Sequence, residues 1–348
     1  MFTLAAWTHS LSPFAVEFTP GVGLRWYGLA YLAGFVVAWA LLRALGKRGL
    51  IRIPPEKAAD VIFTLIVGVL LGGRLGYVLV YDRSLLLEFT PTAPWWGVLA
   101  INRGGMASHG AFVGLVAASW WVARANRIST LHVMDALALV GLPGVFLGRV
   151  ANFVNGELLG RIVAMPGETA PWWAVRFPTE LLEGHAPPLT PEQQNSLFAL
   201  LQRVAPGEPY GEAMRLLIRD IQHGASGLAR DITPLLAARH PSQLYQAGVE
   251  GMLVPAALWL IWRRPRRPGV IVAWFFVLYG IGRIVTEFWR LPDAQLAAHT
   301  LGATPGGLSY GQWLSAGMII AGALTLLVVR ARGHAPTGGW GPGARAEA

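Results

Sequence analysis

The chain has 348 residues, 54% of them hydrophobic and 14% charged, and a mean hydropathy of +0.46. A soluble globular domain carries about 25% charged residues, so these values exclude a water-soluble monomer, a disordered chain, collagen and a coiled coil. The formal net charge of +9 sits on basic residues beside apolar runs, the pattern of membrane topology and not of nucleic-acid binding. There is no cysteine, which excludes disulfides, cysteine-ligated metal and a cysteine nucleophile on the chain itself.

The first twenty residues lack a basic leader and a clear cleavage site, so no removable signal peptide is expected. Apolar runs of about 20 residues can cross a hydrocarbon core about 30 Å thick as helices. Seven are predicted, over roughly 24–45, 59–81, 97–122, 131–151, 243–262, 269–289 and 309–330. Arg74 and His109 interrupt the second and third. The expected fold class is therefore an all-α integral membrane protein with seven transmembrane helices and a head inserted between helices 4 and 5. Residues 1–151 carry the first four helices, 152–242 the polar head with an extended arm, and 243–332 the last three. The Gly/Pro-rich tail 333–348 is expected to be disordered. Arg43, Lys47, Arg48, Arg52 and Lys57 follow the first span, Arg124 and Arg127 the third, Arg263–Arg267 the fifth, and Arg330 and Arg332 the seventh. All fall on the cytoplasmic side if the N-terminus is outside, which leaves the C-terminus in the cytoplasm.

Ionisable groups inside spans are costly and mark functional candidates. This topology gathers most of them near the outer leaflet: Tyr27, Arg74, His109, Arg149, Asn152, Glu157, the Arg239–Gln243 segment, Tyr279, Arg283, Glu287 and Arg290. Asp135 and Glu250 read instead as packing or helix-pairing residues. Tyr279, Arg283 and Glu287 follow i, i+4 steps on one helix face, and Arg149 and Asn152 are i, i+3. Two arginines from different helices at a bilayer interface suit a phosphate that carries lipid tails, because guanidinium offers phosphate a planar donor fork. Each group also has a plain role: Arg290 as a snorkelling anchor, Arg283–Glu287 as a structural ion pair, His109 as a helix-packing residue, the Gly68–Gly76 run as close helix contact. Their convergence supports an outer-leaflet site for an anionic lipid and leaves catalysis open. A transporter, or a lipid-binding scaffold without catalysis, uses some of the same residue types.

The block Gly148-Arg149-Val150-Ala151-Asn152-Phe153-Val154-Asn155-Gly156-Glu157-Leu158-Leu159-Gly160 resembles the signature of the prolipoprotein diacylglyceryl transferases. Four further blocks are similar to that family: Arg25–Leu29, Gly73–Tyr77, Arg239–Tyr245, and Tyr279–Arg283 continuing through Glu287, Arg290, Pro292 and Asp293. Leu308–Gln312 resembles the family's entry into its last span. The sequence departs from the pattern at His109-Gly110-Ala111, where the family has a second glycine, at Arg103, and in a longer head around 185–230.

The resemblance implies a bacterial inner-membrane enzyme with a periplasmic head and N-terminus. It implies transfer of the diacylglyceryl group of phosphatidylglycerol to the lipobox cysteine thiol of prolipoproteins at their signal peptides, forming a thioether and releasing glycerol phosphate. Neither cofactor nor metal is expected. His109 is then the thiol base or its positioning partner, and Arg149 and Arg283 clamp the phosphate. Asn152, Glu157 and Gly160 shape the site, Glu287 orients Arg283, Tyr27 and Tyr279 line the headgroup region, and Arg290 serves headgroup or anchor. Loss of either clamp arginine is expected to be at least as damaging as loss of His109.

Overall fold

A computed structural model describes residues 6–101, 104–291 and 309–341. Arg103, Pro292, Asp293 and Leu308 lie outside them, as does the side chain of Tyr310. Among the described residues, five helical stretches are long and apolar enough to cross a membrane: Trp26–Lys47, Pro55–Val80, Ser242–Ile261, Val270–Glu287 and Gly311–Ala331. Helices α4 (Thr130–Val140) and α5 (Leu142–Asn155) meet at a 43° bend and make a sixth if counted as one broken span. The cause is Pro143, which has no N–H for the Leu139 carbonyl four residues back. The Trp259 indole donates to that freed carbonyl at 3.2 Å.

The predicted third span is corrected. It does not begin at residue 97 but at Ser108, as helix α3 (Ser108–Asn126), which is not among the stretches above. Gly104 and Gly105 adopt positive φ, which breaks any helix through them. Arg74 on helix α2 (Ala58–Val80) then holds the resulting loop, donating to the carbonyls of Gly97, Val98, Gly104 and Gly105 at 2.6–2.8 Å. Its place in the outer polar group is thus a structural one.

The chain forms two compact units. The first comprises residues 1–34, 142–254 and 278–319. The expectation of purely helical structure needs amending here, because this unit holds a four-stranded sheet of very short strands. Their order is β1 (Trp7–Thr8), β5 (Val175–Arg176), β6 (Ala238–Arg239), β4 (Ile162–Ala164). A hairpin of β2 (Phe14–Thr19) and β3 (Val22–Arg25) leads into helix α1 (Trp26–Lys47). Arg239 pins the sheet. It is fully buried, pairs with Glu180 at 2.5 Å, and donates to the carbonyls of Gly160 and His185 at 3.0 and 2.6 Å. The enlarged segment around 185–230 builds its own core from α7 (Pro191–Val204), α8 (Tyr210–Gln222) and α9 (Ser226–Ile232), closed over Leu200, Met214, Leu217 and Ile232. Residues Thr190 and Gln193 form a reciprocal capping box that starts α7.

The second unit comprises residues 35–141, 255–277 and 320–348. Here α2 and α3 touch backbone to backbone: a Cβ on Gly72 would collide with the Gly110 carbonyl, and one on Gly114 with that of Gly68. Buried Asp135 accepts from the backbone N–H groups of Gly269 and Val272, both at 2.7 Å, and so caps helix α12 (Val270–Glu287). Between residues 333 and 341 the tail makes contacts with the rest of this unit. Arg266 and Thr337 exchange backbone hydrogen bonds, and the Trp340 indole donates to the Trp259 carbonyl at 2.8 Å.

Candidate functional site

Helix α5 packs in the first unit against helix α10 (Ser242–Gly248) and the π turn Val249–Leu253 that follows it. The two segments run antiparallel. Gly251 lies against Phe146, where a Cβ would come within 2.6 Å of its Cα; Glu250 meets Arg149; the Gln243 amide donates to the Glu157 carbonyl at 2.6 Å. Single π turns of this kind recur at functional sites, and this one carries a charged side chain into the contact.

That side chain is Glu250, which is fully buried. Arg149 donates to its Oε2 through Nε and Nη2 at 3.1 and 2.9 Å, and the Tyr279 hydroxyl donates to the same oxygen at 3.1 Å. Arg283 stands 3.9 Å from Oε1 through Nη1, and its Nη2 lies 3.0 Å from Glu287. The Ser309 hydroxyl donates to Glu287 at 3.1 Å. Two guanidiniums thus meet at one carboxylate, each using only part of its donor fork on these partners. Buried Asn152 donates to Glu157 at 2.6 Å. Gly160 pairs through its backbone with Arg290 and lies so close to the His240 carbonyl that a Cβ would collide with it. Tyr27 accepts a hydrogen bond from Tyr31 at 3.1 Å.

Of the residues singled out from sequence, Tyr27, Arg149, Asn152, Glu157, Gly160, Tyr279, Arg283, Glu287 and Arg290 therefore lie in this unit. His109 belongs to the second unit, exposed in the first turn of α3, with its Nε2 2.8 Å from the Tyr81 hydroxyl. The sequence reads Glu250 as a packing or helix-pairing residue outside the outer polar group; it does pair helices, but with the arginines of that group. Its partners come from other helices, so no spacing on its own helix announced them. The one available signal was its being a carboxylate in an apolar span.

The family model described as prolipoprotein diacylglyceryl transferase matches residues 13–328. A protein of Bdellovibrio bacteriovorus named phosphatidylglycerol–prolipoprotein diacylglyceryl transferase is 37% identical over 350 residues, covering 95% of this chain and 96% of that one. Proteins of the same name from Ruegeria pomeroyi and Neisseria gonorrhoeae are each 36% identical. They cover 92% and 90% of this chain and 94% of their own lengths.

Proposed function

The chain belongs to the prolipoprotein diacylglyceryl transferase family, and from that premise we propose that it transfers the diacylglyceryl group of phosphatidylglycerol to the lipobox cysteine of prolipoproteins in a bacterial inner membrane. A C–S bond forms at the glycerol methylene and the C–O bond to phosphate breaks. The electron pair leaves on glycerol phosphate, and the thiol proton passes to a base. The observation that carries this reading is the meeting of Arg149 and Arg283 at Glu250. The fork positions these partners leave over are the donors that receive the phosphate. Glu250 and Glu287 hold both forks in place beforehand, so little reorganisation accompanies the charge that builds on the leaving group. The role of thiol base falls to His109, because free cysteine has a pKa of about 8.5 and is only a few per cent thiolate near pH 7. Tyr27, Asn152, Glu157, Gly160, Tyr279 and Arg290 shape the headgroup region.

Seven spans follow if α3 and the bent α4–α5 pair each cross once. Basic loops then place the N-terminus and head in the periplasm, the C-terminus in the cytoplasm, and the arginine cluster near the outer leaflet. The names of the relatives favour transfer over transport or passive lipid binding.

The test is purified protein with phosphatidylglycerol and a lipobox peptide, followed by mass spectrometry. The peptide should gain a diacylglyceryl group and its Cys→Ser counterpart should not. Arg149→Lys and Arg283→Lys keep the charge but lose the fork and should each cost about 100-fold or more in rate. The cost of His109→Gln should be roughly 30-fold, the value of full thiol deprotonation. An unmodified peptide with the parent protein overturns the function. Parent-like rates for both Lys variants overturn the clamp.

A further inference from the structure

Beside the arginine cluster, α10 carries two glutamines with hydrogen-bonding capacity that the fold leaves unused. Gln243 and Gln246 are fully buried. Among the described residues, neither the Oε1 nor the Nε2 of Gln246 has a hydrogen-bond partner, and the Oε1 of Gln243 has none. The Oδ1 of Asn155, on α5, is in the same condition. Buried amides are almost always paired, because leaving them bare forfeits their hydration without return. Three such groups in one place therefore call for a ligand. Their place is fixed by the antiparallel contact of α10 with α5. Gln243 bonds the Glu157 carbonyl and Glu250 bonds Arg149, and Gln246 lies between these two contacts along the same segment. Gln246 thus stands four residues before Glu250, the carboxylate that pairs with Arg149.

We infer that Gln246, with Gln243 and Asn155, reads the headgroup hydroxyls of the phospholipid donor and so makes the enzyme selective for a glycerol headgroup. The inference rests on the reading that Arg149 and Arg283 take the phosphate. A vicinal diol one ester linkage from a phosphate offers both donors and acceptors, and a carboxamide pairs with both kinds. A charged amine headgroup would gain no counter-charge from amides. A hydroxyl-free headgroup would leave these amides unpaired. Sites built to bond a substrate hydroxyl reject analogues that lack it strongly, because their own polar groups stay unpaired. Gln246 is here a specificity-determining residue and takes no part in bond breaking.

The experiment compares phosphatidylglycerol with phosphatidylpropanol of the same acyl chains, in the same detergent, with the lipobox peptide as acceptor. The parent protein should favour phosphatidylglycerol by at least about 30-fold in kcat/KM. In Gln246→Met, of similar volume without hydrogen-bonding groups, that preference should fall below about fivefold, with the loss concentrated in the KM for phosphatidylglycerol. Should the Met variant not accumulate as folded protein, the same ratio is read on Gln246→Asn, where it should also fall. A parent preference under threefold overturns the inference, and so does a variant that keeps the parent's ratio. Failure of the parent to modify the peptide from either lipid would strike the proposed function instead, so the two failures are told apart.

Discussion

At the residue scale, three arginines of the first unit meet buried carboxylates in advance. Arg149 and Arg283 share Glu250, and Arg239 is locked to Glu180. Breaking one member of such a buried pair strands the other charge, at about 3–5 kcal/mol. Charge-preserving substitutions are for this reason the informative ones at Arg149 and Arg283. His9 shows the opposite arrangement. It is buried between Phe153 and Phe177 and its Nε2–H donates to the Phe153 carbonyl at 2.8 Å. Burial pushes its pKa down to about 4 from the ordinary 6.5. The folded chain thus holds a neutral imidazole, while the unfolded chain takes up a proton as pH falls below 6.5. Stability from this group is complete above that value and declines as pH drops toward 4, by about 2 kcal/mol between pH 7.5 and 5. Thermal unfolding in detergent across that range should show the decline, and His9→Gln, which keeps a donor but does not titrate, should flatten it. An unchanged slope in the variant would remove His9 as the cause.

At the scale of elements, irregularities place the polar groups. The π turn aims Glu250 at Arg149, and Pro143 bends the α4–α5 pair at a point where Trp259 satisfies the freed carbonyl. The regular contact between α2 and α3 depends on missing side chains. Gly114→Leu should force these backbones apart and cost roughly 1–3 kcal/mol, the usual range for overpacking a tight interface. Gly227, where an added Cβ meets nothing within 4 Å, provides the control: Gly227→Ala should leave the melting temperature near the parent's. Equal melting of the two variants would show that the glycine contact does not hold the helices together.

At the scale of the whole molecule, the orientation proposed from basic loops can be tested directly, because the chain has no cysteine of its own. A membrane-impermeant maleimide applied to intact spheroplasts should label Ser226→Cys in the head. It should not label Arg264→Cys in the loop before α12 until the membrane is opened; both positions are exposed in the structure. The reverse pattern would invert the topology and move the arginine cluster to the inner leaflet.

The sequence by itself determined membrane residence, most of the spans and which two arginines of separate helices stand out in apolar surroundings. Hydropathy acts over some twenty contiguous residues, and Arg149 and Arg283 stand out because charge in an apolar run is costly wherever the run goes. It also carried the family resemblance, which rests on contiguous blocks. The tertiary structure decided what those charges face. Glu250 became the common partner of two arginines through contacts that join separate helices, and Arg74 proved to hold a glycine loop. Residues 333–341 meet the rest of their unit through a two-residue bridge to Arg266 and an indole bond. Pairing across long separations depends on geometry in space, to which neither composition nor periodicity along one helix responds.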